Sequence, residues 1–168
     1  MACGLPDILA PDLSVVFCGL NPGVSAAATG HHFVGRGNRF WQVIHLAGFT
    51  PMQIDPEDDA SVLSFGLGLT TAVERATASA TELGDDEFVA GGLALRRKIE
   101  RYAPRNVAFL GKAAFSAIVK KREVSWGRQP EAIAGAAIWI LPNPSGRNRG
   151  FSLTALVEAY SQLRRELD

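Results

Sequence analysis

Short, mainly apolar runs alternate along the chain with segments of helical periodicity. Residues 15–18, 106–111 and 136–141 are such runs, and each is typical of a strand buried on both faces of a sheet. The weaker run at 66–70 predicts a fourth, short strand. The first and last of these strands lead directly into loops rich in glycine and proline, at residues 19–30 and 142–150.

Helices are predicted between the strands. Asn38 can cap a helix that Gly48 ends, and Pro104 ends a later one. The predicted helices cover residues 39–46, 88–102, 112–119 and 152–167. Polar residues dominate 51–61 and 77–87, which are expected to be surface loops. Strands that alternate with helices indicate a single three-layer α/β/α domain over residues 1–168, with a short parallel sheet.

The composition is that of an ordinary folded domain. Hydrophobic residues make up 47% of the 168 residues and charged residues 20%, which excludes a disordered chain. No apolar run approaches the roughly 20 residues of a membrane span, and the first residues lack the features of a signal peptide. We therefore expect a cytoplasmic protein without a membrane partner.

Cys3 and Cys18 are too few for a disulfide framework, and His31, His32 and His45 have no ligand cluster around them, so no metal site is expected.

The charges are unevenly distributed. The formal net charge is zero, yet residues 51–90 carry nine acids against the single base Arg75, and residues 91–168 carry fourteen bases against six acids. Such a chain can be neutral and still present a basic face to phosphates. Charge alone, however, favours the simpler interpretation that these groups solvate exposed helix faces.

The two glycine- and proline-rich loops follow predicted parallel strands, where ligands bind in such sheets. The segment GLNPG at residues 19–23 has neither the glycine spacing of a dinucleotide fingerprint nor the Gly-Lys of a phosphate loop. It offers one carboxamide, Asn21, which can orient a water but cannot take its proton efficiently. Scission of an N-glycosidic bond has a dissociative transition state and needs little help from a general base, so an oriented water suits it. Each loop alone is typical of an ordinary turn, whereas their joint occurrence favours a site.

The segment GLNPG at 19–23 and the segment NPSG at 143–146 resemble the paired motifs of the mismatch-specific uracil DNA glycosylases (the Mug and thymine DNA glycosylase family). This family lies within the uracil-DNA glycosylase superfamily. The resemblance covers residues 7–163, and further matching segments are Thr29-Gly30, Asn38-Arg39-Phe40-Trp41, Leu110-Gly111-Lys112 and Trp126-Gly127. It implies a uracil-DNA glycosylase-like fold.

The resemblance also implies roles for individual residues. Asn21 would position the water that attacks the sugar C1′, and Phe33 would stack on the extruded base. The alternative for Phe33 is a core aromatic, but its neighbours His31, His32 and Gly35 favour a loop and hence the pocket. The implied base pocket contains Leu20, Gly23, Ser25, Ala26, Phe33 and Thr71. The implied DNA-binding loop, which enters the vacated position, contains Asn143, Ser145, Gly146, Arg147, Asn148 and Arg149.

Three positions depart from the pattern of the family. Arg147 stands where the best-known bacterial relatives have a Leu wedge; an arginine can fill the gap and attract phosphate, whereas the alternative for Arg147 and Arg149 is a solvated loop tip. Ala26 lacks a hydroxyl that some relatives offer to the base, and Thr71 replaces a Lys, Asn or acid. Asn143 begins the second motif where stronger glycosylases have a His, so we expect a slow enzyme.

Together these features predict a monofunctional glycosylase that removes uracil from G·U mismatches in double-stranded DNA. Ethenocytosine, thymine, xanthine and hypoxanthine remain open as substrates. We expect a bacterial-type monomer, associated with the nucleoid through DNA, and no cofactor. Two alternatives stay open: a module that binds damaged DNA without excising a base, and a hydrolase of free nucleosides or nucleotides.

Overall fold

The computed structural model describes residues 4–167, and in this part of the chain five strands form one sheet. The strands are β1 (Val15–Gly19), β2 (Leu67–Thr71), β3 (Asn106–Leu110), β4 (Gly127–Ile133) and β5 (Ala136–Leu141). Their order across the sheet is β2-β1-β3-β5-β4. The first four strands in this order are parallel and correspond to the four predicted strands, whereas β4 runs antiparallel to β5.

The antiparallel strand β4 was not predicted. The other four strands form the predicted short parallel sheet, and β4 extends it into a mixed sheet. Its sequence, GRQPEAI, contains exposed Arg128 and Pro130, and only Gln129 and Ile133 are buried. An edge strand pairs on one side only and tolerates proline, so it lacks the continuous apolar run of the central strands. A register shift between Arg128 and Ala132 breaks its alternation further.

All but the first of the α-helices in the described chain match a predicted helix closely. They are α1 (Val24–Thr29), α2 (Phe40–Leu46), α3 (Asp85–Tyr102), α4 (Ala113–Val119) and α5 (Leu153–Glu166). Helix α3 starts three residues before the predicted start, where a carboxylate oxygen of Glu87 accepts the Gly84 N–H at 2.9 Å. Helix α1 lies inside a segment predicted as loop, and the 3-10 helix Pro56–Phe65 begins inside another, 51–61, and extends four residues beyond it. Among residues 4–167, no helix combines the length and apolar character needed to span a membrane.

Alternate residues of the strands fill two hydrophobic cores, one on each face of the sheet. Phe17 of β1 packs on the face covered by α2 and α5, and its neighbour Cys18 on the face covered by α3 and α4. Because successive strand residues point to opposite faces, both sides of this sheet must be covered by helices. The three-layer α/β/α architecture predicted from the sequence is therefore confirmed.

Helix α3 crosses the end of β2 at very close range. A Cβ atom at Gly91 would lie 1.9 Å from the carbonyl oxygen of Ala72, a main-chain atom that cannot move independently of the sheet. Glycine at this position therefore sets the distance between α3 and the segment that follows β2, which lines the cleft described below.

We expect Gly91→Ala to lower the free energy of unfolding by about 1 kcal/mol, because a mid-range overpacking penalty of about 2 kcal/mol outweighs the gain of about 1 kcal/mol in helix propensity. Urea unfolding measures the change. Ala90→Gly, at an exposed position of the same helix, is the control for propensity alone and should cost about 1 kcal/mol. A Gly91→Ala protein more stable than wild type would contradict this account.

Candidate active site

A cleft of about 980 Å³ opens at the carboxyl edge of the parallel strands. The ends of β1, β2 and β3 contribute Gly19, Thr71 and Leu110 to its floor, and the loops that follow the strands form its walls. Among the described residues, no aspartate, glutamate or lysine lines the cleft, whereas Arg36 and Arg147 do. Nor do the His, Cys, Asp and Glu side chains within residues 4–167 gather into a group of three or more suited to a metal ion.

The carboxamide of Asn21 has a defined orientation in this cleft. Its Nδ2 donates one hydrogen bond to the main-chain oxygen of Arg75 and another to Oγ1 of Thr77, both at 2.8 Å. Since a main-chain oxygen can only accept, the nitrogen must lie on this side. No donor within residues 4–167 reaches Oδ1 of Asn21, so this oxygen is free to accept a hydrogen bond from a water in the cleft.

Thr77 is the residue of this site that sequence reasoning missed. Its side chain is buried, and its Oγ1 donates to the carbonyl of Ser79 at 2.9 Å, which leaves the hydroxyl oxygen to accept from Asn21. Its own N–H donates to the Pro22 carbonyl at 3.2 Å. The segment 77–87 is polar and was predicted as a surface loop, and a threonine there carries no signal of burial. Only the pairing of residues 72–77 with the loop after β1 reveals its role.

Phe33 lies against Phe40 with the ring centroids 4.0 Å apart and the planes 21° from parallel, and it also lines the cleft. Its φ of 56° is in the left-handed region, which costs energy for a residue with a side chain. Neighbouring contacts hold this strained position. The His32 N–H donates to Oδ2 of buried Asp59 at 2.9 Å, and Nε1 of Trp41 donates to the His32 carbonyl at 3.1 Å.

The other residues predicted for the base pocket also line the cleft. They are Leu20, Gly23, Ser25, Ala26 and Thr71. Gly23 immediately precedes α1, and Ser25 and Ala26 lie in its first turn, so the unpredicted helix α1 is what presents these residues. Thr71 is the last residue of β2 and is half-buried. The structure thus brings this set together, while the contact of each with a base stays a prediction.

The second loop, which in the structure extends one residue further than predicted and covers residues 142–151, is closed on itself by hydrogen bonds. Oδ1 of Asn143 accepts the Ser145 N–H at 2.9 Å, and Nδ2 of Asn148 donates to the Asn143 carbonyl at 2.9 Å. The Asn148 N–H donates to the Ser145 carbonyl at 3.0 Å. Behind the loop, the hydroxyl of buried Tyr160 donates to the Pro142 carbonyl at 2.8 Å. Asn143 therefore shapes the loop with its oxygen.

The tip of the second loop faces two other segments of the cleft wall. A Cβ atom at Gly146 would lie 2.8 Å from the Gly37 carbonyl oxygen, so the two backbones touch. Arg147 is exposed, and one of its Nη atoms donates to the Ala78 carbonyl at 3.1 Å. Arg149 is exposed and lies outside the cleft lining. Of the predicted DNA-binding residues, Arg149 alone is thus not part of the cleft.

Comparison with known proteins gives the class to which this fold and cleft belong. Residues 6–164 match the model of the uracil DNA glycosylase superfamily, and the chain belongs to this superfamily, whose members are DNA glycosylases and hence hydrolases. The fold is also that of a solution NMR structure from Methanosarcina acetivorans, provisionally named a uracil DNA glycosylase. The TM-score is 0.65 at 20% identity, over 98% of this chain and 97% of that one.

One prediction concerns His32, whose contacts hold the backbone next to Phe33. His32 is only 2% exposed, and its Nε2 lies 2.7 Å from the Pro6 carbonyl oxygen, which can only accept, so Nε2 carries a proton. Burial lowers the pKa of His32, and the bond to Pro6 and the charge of Asp59 oppose this only in part. The unfolded chain therefore binds a proton more readily than the folded protein.

Because the folded pKa is depressed, the contribution of His32 to stability is complete above the unfolded pKa of roughly 6.5 and is lost as the pH falls below it. We expect the wild type to lose stability relative to His32→Gln between pH 7 and pH 5. Urea unfolding of both proteins at several pH values measures this. A difference between them that does not change with pH would contradict it.

Proposed function

We propose that the chain is a monofunctional DNA glycosylase that hydrolyses the N-glycosidic bond of uracil or a related damaged base, mispaired with guanine in duplex DNA. We also propose that it acts as a monomer in the cytoplasm. The observation that carries the proposal is the orientation of Asn21. Its oxygen is free on the cleft side, in the same cleft as the half-buried ring of Phe33.

In the proposed reaction the extruded base stacks on Phe33, and Oδ1 of Asn21 accepts a hydrogen bond from the attacking water. The water oxygen bonds to C1′ of the sugar as the bond from C1′ to the base nitrogen breaks. The bonding electron pair leaves with the base, and the water proton goes to solvent. A carboxamide is too weak a base to take that proton, which suits a transition state in which bond breaking is already advanced.

The charges of the cleft fit this scheme. With no carboxylate among its described lining residues, nothing there repels a departing anionic base or a phosphate. With no lysine among them either, no amine is available to attack C1′ and form a Schiff base. The proposed product is therefore an abasic site in an uncut strand.

The second loop is proposed to fill the gap left by the extruded base. Arg147 projects from its tip, and Gly146 fits against the Gly37 carbonyl because it carries no side chain. In the free protein the Arg147 guanidinium rests on the Ala78 carbonyl, and it must leave that contact to enter DNA. Asn143, Ser145 and Asn148 keep the loop rigid through their internal hydrogen bonds.

The proposed substrate range follows from the lining of the cleft. Ala26 offers no hydrogen bond from its side chain, and Ser25 and Thr71 offer one hydroxyl each, so base recognition depends mainly on stacking and on main-chain groups. Stacking accepts any base. We therefore propose uracil as a substrate, with thymine, ethenocytosine, xanthine and hypoxanthine as further candidates, and ease of extrusion as the main source of selectivity.

The proposal is tested with labelled duplexes that carry each of these bases opposite each normal base, incubated under single-turnover conditions and cleaved with alkali. We expect base release to be fastest opposite guanine. Binding without any product at high enzyme concentration would instead support a recognition module. Activity on free nucleosides with indifference to DNA would support a nucleoside hydrolase.

Asn21→Ala should slow base release by about 100-fold, because the water loses its positioning group. Thr77→Val should slow it by about 10-fold, or roughly 1.4 kcal/mol, because Asn21 then keeps only one of its two anchors. Thr77→Ser, which retains the hydroxyl, is the matched control and should stay near wild type. Equal rates for Asn21→Ala and wild type would refute the mechanism.

Arg36 provides a test of DNA contact that is independent of chemistry. It is exposed at the cleft, and no hydrogen bond or ion pair joins its side chain to another residue within 4–167. Each phosphate contact contributes about 0.9 to the slope of log K against log salt concentration. We expect Arg36→Gln to reduce this slope by about 1. Arg105→Gln is the control, because Arg105 directly precedes β3 and so lies at the amino-terminal ends of the parallel strands, away from the cleft. An unchanged slope in Arg36→Gln would exclude the contact.

A further inference from the structure

Arg39 makes an unusual set of hydrogen bonds with the second loop. It directly precedes α2, and its main-chain N–H donates to the Pro144 carbonyl at 3.0 Å. Its guanidinium donates to four main-chain carbonyls of the loop. These are Phe151 at 2.7 Å, Ser145 and Asn148 at 3.0 Å each, and Pro144 at 3.4 Å.

The four acceptors span the loop from Pro144 to Phe151, so one side chain fixes both the start and the end of the segment that carries Arg147. The planar guanidinium, with five N–H donors in a fixed fork, can reach several carbonyls at once. A lysine ammonium has three donors on one atom and cannot reproduce this spread. The side chain of Arg39 is half-buried, which makes these bonds less exposed to competition from water.

The same residue adjoins the base-stacking side of the cleft. Its neighbour Phe40 stacks on Phe33, and its other neighbour Asn38 accepts the Phe40 N–H through Oδ1 at 3.0 Å. Two residues before Arg39 along the chain comes Gly37, which touches Gly146 at the loop tip. Arg39 thus lies where the wall that carries Phe33 meets the wall that carries Arg147.

We propose that Arg39 is a positioning residue that holds the second loop in register with the base pocket, so that Arg147 enters the DNA stack as the base reaches Phe33. It acts through the loop and does not itself contact the base. The inference rests on the proposed glycosylase function. It assigns Arg39, which lies outside the cleft lining, a role in base extrusion and none in bond cleavage.

The test uses a duplex with uracil opposite guanine and 2-aminopurine beside the uracil, whose fluorescence rises when the base is unstacked. Wild type, Arg39→Gln, Arg39→Lys, Arg147→Ala and the Arg39→Gln/Arg147→Ala double variant are compared at saturating protein. Arg105→Gln is the control for loss of one cation. Thermal unfolding of each variant is measured in parallel.

We expect Arg39→Gln to reduce the fluorescence rise at least threefold, and Arg39→Lys to recover only part of it. The double variant should stay within twofold of Arg147→Ala, because both changes disable the same loop. An unchanged fluorescence rise in Arg39→Gln, losses that multiply in the double variant, or full recovery with lysine would each overturn the inference. If Arg39→Gln does not fold, the Arg39→Lys variant decides.

Failure of the underlying function gives a different result. A wild-type protein that neither unstacks nor releases uracil from this duplex would refute the glycosylase proposal, and the role of Arg39 with it. A wild-type protein that does both, beside an Arg39→Gln protein that does both equally well, would refute the role of Arg39 alone.

Discussion

A main-chain carbonyl can only accept a hydrogen bond, and the carbonyl of Arg75 thereby decides which end of the Asn21 carboxamide faces the cleft. The sheet determines where that carbonyl lies. Beyond the last paired residues of β1 and β2, the Ala72 N–H donates to the Gly19 carbonyl and the Val73 N–H to the Leu20 carbonyl. The strand pairing thus continues into both loops. These two hydrogen bonds fix the position of the segment that contains Arg75, and the bond from Asn21 to the Arg75 carbonyl then fixes the orientation of the Asn21 side-chain oxygen.

The parts of this arrangement that follow strand ends could be predicted from the sequence. Four apolar runs gave four strands, and their common direction placed Asn21 and Asn143 at one edge of the sheet. The contacts that orient these loops could not be predicted. Thr77 lies 56 residues from Asn21, and Arg39 lies 105 to 112 residues from its four acceptors. Hydrogen bonds over such separations leave no periodicity in the chain, and the acceptors are carbonyls that any residue supplies.

The distribution of charged residues along the sequence likewise does not predict which charges line the cleft. The contrast between an acidic stretch at 51–90 and a basic half at 91–168 suggested a basic face. Of the two arginines that line the cleft, however, only Arg147 comes from the basic half, and Arg36 precedes both stretches. Several bases of the basic half are engaged elsewhere, such as Lys121 with Glu131 and Arg165 with Glu158. The cleft is positive because no carboxylate from the described residues reaches its lining, and not because bases are concentrated there.

A rigid second loop changes what DNA binding has to supply in the proposed reaction. Ordering a flexible segment on binding would cost roughly 0.5–1.5 kcal/mol for each immobilised side chain, and a loop held by Arg39 loses little further freedom. Against this stands the contact of Arg147 with the Ala78 carbonyl, which must break first. As a single bond at the surface it contributes about 0.5–1.5 kcal/mol, less than the few kcal/mol needed to extrude a base. The contact can therefore modulate entry but cannot block it, and the stability of the base pair remains the larger barrier. Because the cost of extruding the base is the larger of these two energies, poorly paired bases are selected. No side chain that distinguishes one base from another is needed for this.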